Sequence, residues 1–147
     1  MTYRHTQRGS IIIASVGLAF LVALYAFWGT DQPGTLRMGI PAALLVALFL
    51  FSSLTVEISG SALTCSFGPG LIRRTFLLSE IRGAKVVRNH WYSGWGIRWR
   101  PGQYVMWNVS GLGAVELTLS DGSAFRVGSD EPQALLDAIR NYRSIAG

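Results

Sequence analysis

Two uncharged, apolar runs separated by a few turn residues constrain this 147-residue chain more than any other feature. No charged side chain occurs in residues 9–30, and residues 11–28 are almost wholly apolar. Wound as a helix, residues 11–28 would measure ~27 Å, close to the ~30 Å hydrocarbon core of a bilayer. A second uncharged run covers residues 38–56, most apolar over 40–54, with Pro41 expected in the first turn, where a missing N–H does no harm. Asp31, Gln32, Pro33 and Gly34 supply turn chemistry between the two. A connection this short makes the helices antiparallel. The expected layout is a basic arm at 1–9, spanning helices at 10–29 and 38–54, and an external loop at 30–37.

Composition agrees. Half of the residues are apolar and only 14% are charged, against about a quarter in an ordinary soluble domain, and the apolar excess lies before residue 57. A cleaved secretory leader fits poorly. The first run is too long for a usual leader, Tyr25, Ala26, Phe27 and Trp28 make no small-x-small cleavage site, and another apolar run follows at once. Arg4 and Arg8 precede the first run, Arg37 alone lies in the loop, and Arg73 and Arg74 open a basic stretch after the second. The positive-inside bias therefore predicts a multi-pass chain with both termini in the cytoplasm. Tyr25 and Trp28 suit an aromatic belt at the outer end. Gly39, Ala43 and Ala47 recur every four residues on one helix face, which lets another backbone approach closely. That face is expected against the first helix, with a second subunit as the other occupant.

After Leu54 the pattern becomes alternating, which means strands with one buried face. Val56 and Ile58 flank Glu57; Leu63, Cys65 and Phe67 flank Thr64 and Ser66. Further strands are expected at 71–78, 84–92, 97–100, 104–109, 114–120 and 123–127, the last two joined by the favoured hairpin turn Asp121-Gly122. A helix follows at about 131–144, with Ser129 or Asp130 as its cap, Pro132 in its first turn, and Leu135, Ile139 and Tyr142 on one face. Residues 55–147 thus read as about seven antiparallel strands in consecutive hairpins, an open two-sheet barrel with one C-terminal helix. Cys65 belongs in its core, as a small apolar filler.

Several short motifs in this order carry a resemblance. They are the Phe67-Gly68 turn, the basic strand after it, Ser79-Glu80-Ile81, the Gly94-Trp95-Gly96-Ile97-Arg98 stretch, the Asp121-Gly122 hairpin and the capped final helix. With two preceding spans, this order resembles the membrane-anchored bacterial PH-like domains. The resemblance implies a PH-type barrel closed by a C-terminal helix, a bacterial origin and a place at the cytoplasmic membrane; it implies no settled activity. In eukaryotic PH domains that hold inositol phosphates, cations gather in the loop joining the first two strands of the barrel. The corresponding loop here, Ser59-Gly60-Ser61, has none.

Charge is unevenly spread. Residues 71–100 carry Arg73, Arg74, Arg82, Lys85, Arg88, Arg98 and Arg100 against Glu80 alone, whereas residues 101–147 carry more acids than bases. A basic side turned towards an anionic leaflet would gain ~1 kcal/mol per cation brought near it, so anionic headgroups are the expected contact. A merely solvated face is the alternative, and Arg73 and Arg74 point to opposite faces of one strand. Trp95 stands in the centre of an aromatic and cationic stretch, residues 90–100. Such a mix can stack bases, but beside two spans it better suits a loop dipping into headgroups, and no nucleic-acid partner is expected. At least two of Trp91, Trp99 and Trp107 are expected to fill the barrel. Enzyme readings fail on inventory: one Cys, His90 as the sole His outside the arm, no nucleophile elbow and no phosphate loop. No metal, cofactor or catalytic residue is expected. The chain reads as a tethered binding module, or else as a scaffold or accessory subunit that self-assembles or docks on a larger membrane complex.

Overall fold

The computed structural model describes residues 2–146. Two apolar helices, α1 (Ser10–Phe27) and α2 (Gly34–Phe51), pack side by side. Each is long and apolar enough to cross a membrane, and only 6% of each is buried, unlike the core helix of a soluble protein. Tyr25 and Trp28, at the end of the helical pair away from the β domain, are 86% and 85% exposed.

The helices are not preceded by an arm. Thr2–Arg8 forms strand β1, which pairs antiparallel with β2 (Ser53–Ser59) along its whole length, Thr2 opposite Ser59 and Arg8 opposite Ser53. The helical pair is therefore the connection of a β-hairpin. Its neck is closed by the Gly9 N–H, which donates to the Ser52 carbonyl at 2.7 Å. A Cβ on Gly9 would stand 3.0 Å from the carbonyl oxygens of Phe51 and Ser52, so a larger residue there would have to push the two chain crossings apart by a few tenths of an ångström. The strand alternates, but its inward positions are Tyr3, His5 and Gln7, which give no apolar period to read.

The second helix is displaced from its expected limits. Capped by Pro33, it starts at Gly34, which puts Arg37 in its first turns and Pro41 in its interior. Pro41 has no N–H to offer the Arg37 carbonyl, a defect that spanning helices tolerate when neighbouring groups compensate. The helix stops at Phe51. Leu54, expected to end the span, is a fully buried residue of β2 opposite Phe67.

Strands β1, β2, β3 (Ala62–Phe67) and β4 (Ile72–Leu77) form one antiparallel sheet in chain order. The second sheet has the order β5-β8-β9-β7-β6, from β5 (Ile81–Arg88), β6 (Gly96–Arg100), β7 (Tyr104–Asn108), β8 (Gly113–Leu119) and β9 (Ala124–Gly128). Among the described residues eight strands follow the helices, where about seven were expected, β1 makes a ninth, and the second sheet is not a run of consecutive hairpins. Strands β7 and β9 are parallel, Val105 opposite Phe125. Parallel neighbours need a crossover, which β8 provides before β9 inserts between it and β7. The two sheets do not join into a closed barrel.

Helix α3 (Pro132–Ala146) packs on β5 and β8 and touches β2, burying Leu135, Leu136 and Ile139. Its start is capped by the Ser129 hydroxyl, which accepts the Glu131 N–H at 3.0 Å. Leu63, Cys65 and Phe67 are fully buried, and burial pushes the Cys65 thiol up to about 12 against a smaller opposing effect of Arg74. Of Trp91, Trp99 and Trp107, at least two of which were expected inside, only Trp107 is buried; its ring lies 4.9 Å from Phe67. Trp91 and Trp99 are 76% and 74% exposed, because β6 is an edge strand and residues 91–93 form a surface turn.

Candidate functional site

The strands give the β domain two rims. Gly9, Ser52, Gly68, Ser110 and the start of β6 lie beside the helices; the turns at 60–61, 101–103 and 121–123 lie at the other end. Gly68 marks how tightly the helix-side rim is joined. Its N–H donates to the Ser53 carbonyl at 2.9 Å, its φ is +48°, and a Cβ there would fall 2.6 Å from the Leu50 carbonyl oxygen. Phe67 carries the contact into the core, its ring 5.1 Å from Phe51 of α2.

Strand register sorts the basic residues between these rims. Along β5, Arg88 pairs with Gly113 on the helix side while Arg82 occupies a bulge beside Ile81 and Leu119 at the far end, ~20 Å away at the usual rise per residue. On β6, Arg98 pairs with Met106 at the middle of the strand, its side chain turned to the Trp95 carbonyl on the helix side, and Arg100 pairs with Tyr104 at the far turn. On β4, Arg73 opposes Ser66 and Arg74 opposes Cys65, near the helix-side end. Arg8, at the foot of β1, joins this rim.

Several of the cations are already engaged. Arg74 lies over the rings of Phe76 and Phe125, 5.0 and 5.2 Å from their centroids, as a cation on aromatic packing. Arg100 sits near Tyr92 and Tyr104 at 5.8 and 5.9 Å. Lys85 pairs with Glu116 at 3.2 Å, and Arg126 holds the same carboxylate at 2.7 Å. Burial alone would raise the Glu116 carboxyl; the hydrogen bonds and charges of Arg126 and Lys85 outweigh it and hold the group below its usual range. Arg126 also donates to Asn89 Oδ1 at 3.1 Å and lies 3.8 Å from the Tyr104 ring centroid. This is a cross-strand polar layer on the outer face of the second sheet, opposite the core-facing Val115, Leu117, Phe125 and Val127, and its charges are already paired. Apart from Arg74 on its two rings, the exposed cations of the helix-side rim with no carboxylate within 4.0 Å among the described residues are Arg8, Arg73, Arg88 and Arg98.

Trp95 and Arg98 are fixed by a small bonded network. The Trp95 indole N–H donates to the Gly111 carbonyl at 3.1 Å, a carbonyl that also accepts Asn108 Nδ2 at 3.0 Å. Arg98 Nε in turn donates to the Trp95 carbonyl at 3.1 Å. Gly94 allows the approach: its φ is +74°, and a Cβ would meet the Arg98 guanidinium at 3.0 Å. Beside this turn opens a cleft of about 390 Å³ between the domain and the helices, lined by Ile12, Ser15, Val16, Ala47 and Phe51 together with Trp95 and Arg98.

The stripe of small residues divides. Ala47 is half-buried at this cleft, but Gly39 and Ala43 are exposed, and nothing lies within 4 Å of where a Gly39 Cβ would be. The expected packing of that face against α1 is therefore not what holds the hairpin there; the buried residues along the pair are Ile12, Ala23 and Pro41. His5 of β1 contacts Asp130 Oδ1 at 2.5 Å through Nε2, tying the first strand to the start of α3. Among the described residues no three His, Cys, Asp or Glu side chains gather as a metal site would require. Sequence reasoning missed Arg8 and the α1 wall of the cleft, because the strand before α1 shows no apolar alternation and a cleft between distant segments has no local signature.

The fold therefore defines a two-helix apolar hairpin inserted into a two-sheet β domain with a C-terminal helix. No protein-family model and no curated protein matches the chain.

Proposed function

We propose that the chain is a membrane-tethered, non-enzymatic PH-like module at the cytoplasmic face of a bacterial membrane, where it contacts anionic lipid headgroups. The observation that carries this reading is the sorting of cations by height: Arg8, Arg73, Arg88 and Arg98 share the rim beside the helices, whereas Arg82 and Arg100 lie at or towards the other. If the hairpin spans the bilayer, that rim meets the headgroups, and each cation near them contributes ~1 kcal/mol. The far rim lies beyond a Debye length of ~8 Å, so its cations add little. The exposed Trp91 ring suits an interfacial setting, whereas Trp99 lies beside the far turns.

The test is lipid selectivity of the full chain reconstituted in bilayers, read by quenching of tryptophan fluorescence with spin-labelled lipids. Spin-labelled phosphatidylglycerol should quench more than phosphatidylcholine at low salt, and the difference should shrink as salt rises. Equal quenching at every ionic strength would reject the proposal.

A second reading, self-assembly or docking on a larger membrane complex, is favoured by the uncovered Gly39 and Ala43 on α2 and by the open sheet edges at β4 and β6. Native mass spectrometry in detergent separates the two: a strict 16.0 kDa monomer at all concentrations speaks against self-assembly.

A further inference from the structure

We propose that the cleft between the hairpin and β6 is a stoichiometric site for one anionic glycerophospholipid, its phosphate on Arg98 and an acyl chain along α1 and α2. This rests on the membrane reading above and deepens it from a diffuse surface contact to a single bound molecule.

The walls are of two kinds. Ile12 and Val16 of α1 and Ala47 and Phe51 of α2 make an apolar trough that runs from the domain onto the helices. Trp95 and Arg98 close its domain end, both at the helix-side rim. A lipid has this same division, an apolar chain and a charged head, and the trough opens beside the first turns of α1 and the last turns of α2, two helices of membrane length. The volume of about 390 Å³ lies at the small end of ligand sites, ~300–1,000 Å³. It accommodates one segment of chain and not a folded partner.

Arg98 is the residue that makes the site selective. Its Nε is held by the Trp95 carbonyl at 3.1 Å, and no carboxylate lies within 4.0 Å among the described residues. The remaining guanidinium N–H groups form a planar fork, which matches phosphate oxygens in a way that a lysine ammonium does not. Trp95 is anchored through its N–H to Gly111, so both groups are positioned before a ligand arrives and little ordering entropy is lost on binding. Ala47 matters by being small: a larger side chain there would fill the trough.

The test is native mass spectrometry of the full chain in detergent, titrated with phosphatidylglycerol or phosphatidylcholine. One phosphatidylglycerol adduct per chain is expected, with phosphatidylcholine weaker. Arg98→Gln should weaken the adduct about tenfold, the equivalent of one charge-assisted hydrogen bond. Ala47→Phe, which keeps the guanidinium, should weaken it as well, while Arg82→Gln leaves it unchanged. Glycerophosphate, a headgroup without chains, should not displace the lipid at equal concentration; displacement would mean a phosphate site with no part played by the trough and would overturn the proposal. Equal adducts of the two lipids, or an Arg98→Gln adduct at full strength, would overturn it too. Several weak adducts that fall with Arg73→Gln and Arg88→Gln but not with Arg98→Gln would remove the cleft while leaving the surface reading standing. Thermal melting of each variant in the same detergent separates lost binding from lost fold.

Discussion

The two rims of the β domain are built from the same strands yet differ in what they can tolerate and what they can touch. The helix-side rim is crowded: Gly9, Gly68 and Phe67 pack against the last turn of α2 and the residues after it, and the strand ends there feed directly into both helices. The far rim is a set of open turns, in which a Cβ added at Gly60, Gly102 or Gly122 would meet nothing within 4 Å. Backbone turns of similar type therefore carry different burdens. One set welds a membrane-length hairpin to a sheet; the other only returns the chain.

Breaking the weld should have the largest effect. Phe67→Ala removes a fully buried ring that touches both Phe51 and Trp107 and should destabilise the domain by ~3–5 kcal/mol, read as a loss of denaturant midpoint in detergent. Gly68→Ala should cost ~2 kcal/mol or more, since it meets the Leu50 and Phe49 carbonyls at a φ of +48°. Gly60→Ala, at a φ of +55° in open space, should cost only ~1 kcal/mol. Equal losses at Gly60 and Gly68 would show that the rims do not differ.

The polar layer between the rims sharpens the comparison through pH. The Glu116 carboxyl titrates below its ordinary value of 4.5 in the folded chain. Its contribution is thus fully present above 4.5 and is lost as pH falls through the lower, folded value, where the unfolded chain has already taken up its proton. Glu116→Gln should flatten that part of the stability profile; an unchanged slope would mean that the pair with Arg126 is not what holds β8 to β9 there. A smaller effect is expected from single surface cations. Arg88→Gln should lower selectivity for anionic lipid by roughly fivefold, from ~1 kcal/mol, and Arg82→Gln, ~20 Å along the same strand, should leave it unchanged.

Much of this architecture is legible in the residues, and the reasons for the rest are local. The apolar runs, the alternation of Leu63, Cys65 and Phe67, the Asp121-Gly122 turn and the Ser129 cap each declare themselves within a few positions. Strand β1 does not, because its inward side chains are Tyr3, His5 and Gln7 and its partner lies beyond both helices. The limits of α2 slipped because Leu54 is as apolar as the span before it; only pairing with Phe67 assigns it to a sheet. The order of the second sheet depends on β9 entering between β8 and β7, a choice made by packing rather than by any one turn. For the basic residues, charge was readable but height was not. Register along β5 separates Arg88 from Arg82, and on β6 the bond from Arg98 to the Trp95 carbonyl turns Arg98 to the helix side while Arg100 stands at the far turn.

The proposed function requires that the hairpin cross a bilayer with the β domain on one side of it. Single cysteines at Asp31→Cys, between the helices, and Ser120→Cys, at the far rim, can be labelled with a membrane-impermeant maleimide in sealed vesicles, since buried Cys65, its thiol at about 12, stays silent. The account predicts that the two positions label from opposite sides, one from outside and the other only after the vesicles are opened. Labelling of both from the same side of intact vesicles would contradict it.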